Sequence, residues 1–144
     1  MSVTQNNPAT VFLGGERTQV GDLAVSEILT PGMGVERFNN AGVIRWRKAT
    51  TDVANPPAVI TNQSMLNKGV DDDYAAGDLA EVSILHKGAT AWMFIASGQN
   101  ITAGTKLGNA GDGTLKAGAT VALYSALENK PTVTTRTRIR VEAL

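Results

Sequence analysis

Short stretches of this chain alternate between apolar and polar residues with a period of two, which is the pattern of half-buried β-strands. Between residues 79 and 85 the even positions are Ala, Val and Ile, whereas the odd positions include Glu and Ser. Residues 43–47 alternate more sharply, because Ile44 and Trp46 point to one side while Val43 and two arginines point to the other. These patterns predict short strands with one apolar face.

Two further stretches predict strands in the second half of the chain. Residues 91–96 (AWMFIA) are apolar at every position, so this strand lies either in the centre of the core or with one face in a contact between subunits. Residues 135–141 alternate again and place Thr137, Ile139 and Val141 on one face. The opposite face carries Arg136, Arg138 and Arg140. An arginine face of this kind is typical of a solvated or protected sheet edge, or of a contact with an acidic protein.

A glycine-punctuated phrase occurs twice. Residues 28–32 (ILTPG) are matched by residues 100–104 (NITAG), and each copy is preceded by the tetrapeptide Gly-Asp-Leu-Ala, at residues 21–24 and 77–80. Glycine after a Thr-Pro or Thr-Ala pair is typical of a tight turn, because glycine adopts a positive φ without strain. The corresponding apolar positions are Leu29 and Ile101, Val35 and Leu107, and Ile44 and Leu115. The repetition predicts two loosely repeated halves within one β-structure.

The turn residues favour an all-β fold. Asn-Asn-Ala-Gly at residues 39–42 and Gly-Asp-Gly at residues 111–113 are typical of connections between short strands. The helical candidate, residues 64–68, is too short to be stable alone and is followed by Gly69. The chain is therefore predicted to form a single-domain small β-barrel or sandwich of short strands over residues 16–144.

Two segments lack these patterns. Residues 1–15 start with polar residues and continue with Val11, Phe12 and Leu13. This order predicts an extended N-terminal arm with an apolar tip or, alternatively, a first strand that enters the core. Residues 50–57 contain Asn-Pro-Pro, which disfavours helix, and they are predicted to link the two halves.

Composition removes several kinds of chemistry. The 144 residues include no cysteine and only His86 as histidine, so disulfides, thiolate sites and a histidine-based metal centre are not expected. Residues 71–73 (DDD) lack the alternating ligands of an EF-hand loop and are predicted to form a solvated acidic turn. No phosphate-binding loop or nucleophile elbow occurs, so we expect neither a cofactor nor an enzymatic activity. No apolar run approaches the ~20 residues of a membrane span, and no basic signal-peptide start is present.

The charges balance overall, with 13 basic and 13 acidic residues, so the chain has no global attraction to nucleic acid or to an acidic membrane. Their distribution is uneven, however. Residues 1–50 carry five basic and four acidic residues (+1), residues 51–99 carry two and six (−4), and residues 100–144 carry six and three (+3). Either the surface is well mixed in three dimensions, or opposite charges meet between neighbouring copies in an assembly.

Longer stretches of the sequence resemble one protein family. Residues 63–78 (QSMLNKGVDDDYAAGD) resemble the signature stretch of the capsid decoration, or cement, proteins of tailed bacteriophages. Residues 28–36, 98–104 and 108–115 fit the same family, so the resemblance extends over about residues 20–144. It implies a small β-barrel that binds the outer surface of the expanded icosahedral head, bridges capsomers and stabilises the shell.

The resemblance also implies partners and a location. The partners are the major capsid protein and further copies of the same chain, as a dimer or trimer; neither nucleic acid nor a membrane is expected. The location is the outer capsid surface of a virion, after synthesis in the host cytoplasm. Our hypothesis for the contacts with capsid or neighbouring subunits names the apolar tip and the arginine face: Val11, Phe12, Leu13, Arg136, Arg138 and Arg140. The alternative function is a β-barrel recognition module of a phage tail structure that binds a receptor or a glycan.

Overall fold

The computed structural model describes residues 10–50, 56–63 and 66–144, and this part of the chain is all-β, as predicted. It contains no helix, and so none that could cross a membrane. The strands are β1 (Phe12–Gly14), β2 (Arg17–Val20), β3 (Val35–Asn40), β4 (Val43–Lys48), β5 (Ala58–Thr61), β6 (Glu81–Leu85), β7 (Thr90–Ile95), β8 (Lys106–Asn109), β9 (Leu115–Ala117), β10 (Tyr124–Ala126) and β11 (Thr137–Ala143).

Five strands of the second half close into a barrel. They follow the order β7-β11-β10-β8-β9 with antiparallel neighbours, and a parallel pairing between Ile95 of β7 and Leu115 of β9 closes the ring. The longest contact is between β7 and β11, whose register runs from Thr137 opposite Ile95 to Glu142 opposite Thr90. Strand β1 pairs with the start of β7, so it extends the same sheet outside the ring.

The barrel interior is filled by the inward positions of these strands. On β7 every second residue points inward, and Ala91, Met93 and Ile95 are all fully buried. Ile139 and Val141 of β11 meet them from the neighbouring strand. Since these five side chains carry no polar atoms apart from one thioether, their burial stabilises the barrel without any hydrogen-bonding requirement.

A second core lies between the barrel and the strands that precede β7. Strands β2, β6 and β5 form a three-stranded antiparallel sheet, and β3 and β4 form a hairpin. Their apolar faces pack around Trp46 and Leu29, and Phe94 joins them from the opposite side of β7. Residues 91–96 therefore contribute side chains to two cores. This is the first of the two predicted positions, in the centre of the core. Trp92 and Phe94, on the outer face, keep only 8% and 6% of their surface exposed.

The repeated glycine phrase forms a turn in both copies. Gly32 and Gly104 have φ values of 103° and 89°, which glycine adopts without strain. Their apolar neighbours Leu29 and Ile101 are both buried. The two Gly-Asp-Leu-Ala segments lie side by side, because Ala24 pairs with Leu79 in an antiparallel bridge.

One pair of corresponding positions does not follow the repeat. Leu115 is fully buried inside the barrel, whereas Ile44 is 45% exposed near the end of the β3–β4 hairpin. The reason is that β4 extends beyond the second core, while β9 is part of the closed ring. The division into residues 1–15 and two repeated halves stays a prediction.

The N-terminal apolar tip belongs to the fold. Val11 is fully buried in the barrel core, its carbonyl accepts a hydrogen bond from Trp92 N at 2.8 Å, and its N–H donates to Asn62 Oδ1 at 3.3 Å. Val11 in the core and β1 directly after it correspond to the second of the two predicted alternatives, a first strand that enters the core. Residues 1–9 of the predicted arm, residues 51–55 of the predicted linker and residues 64–65 of the helical candidate lie outside the described residues.

The backbone of β8 at Gly108 lies close to residues 119–121, and this packing can be tested. A Cβ on Gly108 would collide with the carbonyl oxygen of Val121 and lie 2.6 Å from the Ala119 Cβ. Gly108→Ala should therefore lower the free energy of unfolding by about 3 kcal/mol, because the barrel wall would have to shift. Gly21→Ala is the matched control, since nothing lies within 4 Å of its added Cβ; we expect it to stay within about 0.5 kcal/mol of the parent in urea unfolding. Equal effects of the two variants would contradict this packing.

The turn between β8 and β9 gives a second test. Burial raises the pKa of Asp112, but hydrogen bonds from the hydroxyl and N–H of Thr114 outweigh it and place the pKa below its usual 3.8. The ionised carboxylate therefore stabilises the fold above about pH 4, and this contribution is lost as pH falls through the lowered pKa. Asp112→Asn should be less stable than the parent at pH 7, and the difference should shrink toward pH 2. A difference that is constant with pH would contradict this prediction.

Candidate functional site

The predicted arginine face exists on β11. Arg136, Arg138 and Arg140 lie on the outer side of the barrel, next to the aromatic residues of β7. The guanidinium carbons of Arg136 and Arg138 lie 4.7 and 4.5 Å from the centre of the Phe94 ring, and that of Arg140 lies 5.9 Å from the Trp92 ring. These distances fit cation–π stacking, so each arginine covers an aromatic side chain of the barrel wall.

Arg138 faces inward rather than toward a partner. The residue is 5% exposed. Its Nη1 lies 3.1 Å from Asp71 Oδ1, and its Nη2 donates hydrogen bonds to the carbonyls of Val70 at 2.6 Å and Pro31 at 3.1 Å. One guanidinium therefore joins β11 to two separate loops. Both Nη groups are thus bonded inside the fold, whereas the buried Nε has no hydrogen-bond partner among the described residues, and a contact of Arg138 with the capsid or another subunit stays a prediction.

Gly32 makes this arrangement possible. A Cβ at this position would lie 3.2 Å from Arg138 Nε and 3.4 Å from the Phe94 ring, and the backbone has a φ of 103°. The stacked arginine and phenylalanine thus fit only against a residue without a side chain. The first glycine phrase and the stretch around Val70 and Asp71 are brought together at this one point.

The other two arginines remain at the surface. Arg136 donates to Thr30 Oγ1 at 3.2 Å. Arg140 forms a two-point contact with Glu128, with its Nε and Nη2 at 3.2 and 3.1 Å from Oε2, while 48% of its side chain stays exposed. Both can be approached by a partner, although each already has a neighbour within the chain.

The predicted contact residues near the N-terminus also include both buried and accessible side chains. Val11 is inside the barrel, and Phe12 is half-buried beneath the guanidinium of Arg17 at 4.0 Å from the ring centre. Leu13 is 44% exposed. Because β1 and β11 flank β7 on its two edges, the structure brings all six predicted residues to one three-stranded region. Leu13, Arg136 and Arg140 are the members of that set that are accessible.

The end of the β3–β4 hairpin is an exposed apolar surface to which the sequence assigned no role. Val43 and Ile44 are 52% and 45% exposed there, although both belong to an apolar stretch. Arg47 stacks on Phe38 at 4.5 Å, and Arg37 lies 5.6 Å from the ring centre of Trp46. The sequence signal for this surface was the sharp alternation of residues 43–47, because each of the two faces carries at least one apolar residue.

Small-molecule chemistry has little support within the described ranges. No group of three His, Asp or Glu side chains is placed to hold a metal ion there. His86 lies 2.9 Å from Thr18 Oγ1 and 3.9 Å from a carboxylate oxygen of Glu16. A cavity of about 200 Å³ lies beside Trp46, with Val35, Glu36, Arg37, Pro56, Ala58 and Ile84 as its other walls. Ligand clefts usually begin at roughly 300 Å³, so this cavity is small.

Comparison with known proteins finds a match for this fold. No family model matches the chain, and no curated protein matches it. A solved structure does match: the N base of the head fiber gp8.5 of bacteriophage phi29, at 14% sequence identity and a TM-score of 0.57. The match covers 90% of this chain and 98% of the phi29 chain. The chain has the fold of a phage head-fiber base. This likeness agrees with the resemblance to capsid decoration proteins that the sequence showed.

The different positions of Arg138 and Arg140 give a third test. Arg138→Lys cannot reproduce the planar set of donors, so carbonyls of the two loops would lose their partners inside the fold. We expect a loss of about 2 kcal/mol in the free energy of unfolding. Arg140→Lys, at an exposed ion pair, should change it by less than about 1 kcal/mol. Urea unfolding of both variants checks this prediction; a larger loss for Arg140→Lys would overturn the assignment of Arg138 as the internal contact.

Proposed function

We propose that this chain is a structural protein of a phage virion that binds the outer surface of the expanded icosahedral head, bridges capsomers and stabilises the shell. The observation that carries this proposal is the fold shared with the phi29 head-fiber base over 90% of the chain. The resemblance of residues 63–78 to decoration proteins supports it from the sequence. The proposed partners are the major capsid protein and further copies of the chain, and neither catalysis nor a cofactor is part of the proposal.

The accessible residues supply the contacts in this proposal. Leu13 offers an exposed apolar side chain, and Arg136 and Arg140 offer cationic groups on a rigid strand. Each contact is modest by itself. On an icosahedral shell the same contact is repeated many times, and bridging two capsomers converts the second contact into an intramolecular one. Weak individual contacts can therefore give stable decoration.

The tail recognition module is the weaker candidate. Binding sites for glycans usually present exposed aromatic side chains, whereas none of the seven aromatic residues here is exposed. Trp46, Trp92, Tyr74, Tyr124 and Phe94 are buried, and Phe12 and Phe38 are half-buried beneath arginines. A receptor would have to be recognised without an aromatic platform.

Co-sedimentation with phage heads that lack this protein tests the proposal. We expect saturable binding to expanded heads at a fixed ratio to the major capsid protein, and no binding to unexpanded heads. Leu13→Ser should weaken the binding, and Leu144→Ser is the matched control, because the two leucines are similarly exposed at 44% and 46%. Absence of binding to either form of the head would overturn the proposal and direct the search to tail structures.

The predicted arm needs a separate variant. Deleting residues 1–15 would remove Val11 from the barrel core and confuse attachment with folding. Deleting residues 1–9 keeps Val11 and all of β1 in place. We expect this shorter deletion to retain the thermal stability of the parent and to bind expanded heads less tightly. Full occupancy of heads by the deletion variant would eliminate a role for the arm.

A further inference from the structure

Two surfaces of opposite charge stand out from the otherwise balanced chain. The first, the basic hairpin, is residues 35–48; it carries three arginines and one lysine against Glu36, a net charge of +3. The second, the acidic loop, is residues 66–81; it carries four aspartates and one glutamate against Lys68, a net charge of −4. The excess of −4 in residues 51–99 is thus concentrated in the acidic loop, whereas the excess of +3 in residues 100–144 lies outside both surfaces.

The basic hairpin is a rigid projection. Its two-residue turn has φ values of 53° at Ala41 and 91° at Gly42, the type I′ geometry that matches strand twist, and the Gly42 N–H donates to Asn39 Oδ1 at 2.7 Å. Strand β4 is covered near Trp46, which pairs with Val25. Toward the turn the described structure adds no further strand to either side of the hairpin. The projecting end is therefore a preformed surface with low ordering cost on binding.

The acidic loop is held in place from beneath. Tyr74 is buried, pairs with Leu29, and donates its hydroxyl proton to the Thr61 carbonyl at 2.6 Å. Asp72 Oδ2 accepts a hydrogen bond from Gly69 N at 2.6 Å, and Asp78 Oδ2 accepts one from Ala75 N at 2.9 Å. These contacts order the loop while its aspartates stay exposed. The negative surface is consequently as preformed as the positive one.

Both surfaces also expose large apolar side chains. Eight such side chains are exposed in the described part of the chain, and five of them lie on or beside these two elements. The hairpin presents Val43 and Ile44. The loop presents Leu66 and Leu79, and Ile28 lies next to the Leu29–Tyr74 bridge. Each surface therefore combines charge with an apolar area, which is the composition of a contact between proteins.

The two surfaces do not neutralise each other within one molecule. Among the described residues, Arg47 pairs with Glu36, Lys48 with Glu27, and the loop's Asp71 with Arg138. The side chains of Arg45 on the hairpin and Asp73 on the loop form no ion pair or hydrogen bond with another described residue. Within the described ranges, one cation and one carboxylate without a side-chain partner thus remain, one on each surface.

We infer that the basic hairpin of one copy of this chain docks on the acidic loop of a second copy. Charge complementarity selects this occupant, because the loop is an acidic and apolar surface that every additional copy supplies. The inference rests on the part of the proposed function in which copies contact each other. The opposite charges set the orientation and the rate of encounter, and the apolar residues supply the area that is removed from water.

This contact is expected to be weak in solution. A hairpin end and a single loop bury less than the roughly 1,200 Å² of a stable complex, so association requires high protein concentration. On a shell, where neighbouring copies are held close together, the same contact becomes effective through multivalency. The surfaces therefore suit an assembly that forms on the head more than a permanent oligomer.

A charge exchange between two matched variants tests the inference without phage heads. Sedimentation velocity up to millimolar concentration should show self-association of the parent that weakens in about 1 M salt, where screening is strong. Arg45→Glu and Asp73→Lys should each weaken self-association about tenfold or more. An equal mixture of the two variants should associate again, because the reversed hairpin then meets a reversed loop. Lys116→Glu, a reversal outside both surfaces, should associate like the parent.

The outcomes separate the inference from the proposed function. A parent that stays monomeric throughout, or a mixture that fails to associate, would overturn docking between copies, whatever the head-binding assay shows. Unchanged self-association of Arg45→Glu together with loss of head binding would also overturn it, and would assign the hairpin to the capsid shell. Circular dichroism and thermal unfolding of each variant ensure that a lost contact is not a lost fold.

Discussion

The buried guanidinium of Arg138 is the contact on which the position of the barrel relative to the neighbouring loops depends. The barrel has one hydrophobic core, and the three-stranded sheet and the hairpin share a second one. Arg138 joins β11 to the Pro31 and Val70 carbonyls, which belong to two loops outside the barrel strands. A buried cation is costly to remove from water, so it stabilises a fold only where acceptors surround it. Here the acceptors come from two loops at once, which fixes both loops relative to the barrel.

Strand β7 makes that junction possible because it contributes to both cores. Met93 points into the barrel while Phe94, the next residue, points into the second core and supports the stacked arginines. A strand that is apolar on both faces is usual in the centre of a layered protein. In this chain it gives two small cores one shared wall. Within the arginine face, Arg138 is consequently a buried structural contact, and only Arg136 and Arg140 at its two ends are accessible.

The sequence patterns correctly predicted the features that depend only on neighbouring residues. The alternation at residues 136–141 placed the arginines on one face, and the glycine phrases gave turns at Gly32 and Gly104, because strand period and glycine φ depend on neighbouring residues alone. The burial of Arg138 could not be predicted, since its acceptors are 68 and 107 positions away along the chain. The position of Val11 could not be predicted either. Three apolar residues after a polar start are typical of an arm or of a first strand. The contact that shows the strand, between Val11 and Asn62, joins residues far apart in the sequence. Ile44 shares a face with the buried Trp46 but lies beyond the end of the core.

The position of β1 brings distant parts of the chain close together. Ala91 of β7 pairs with Phe12 on one edge and with Val141 on the other. Adjacent strands are separated by about 4.8 Å, so Phe12 and Val141 lie roughly 10 Å apart across a single strand. Joining the start of β1 to the end of β11 by a short linker and opening the chain at an exposed turn would keep every strand pair of the barrel. The barrel is thus a scaffold whose connectivity can be permuted, so that an added segment could be attached at more than one point of its surface.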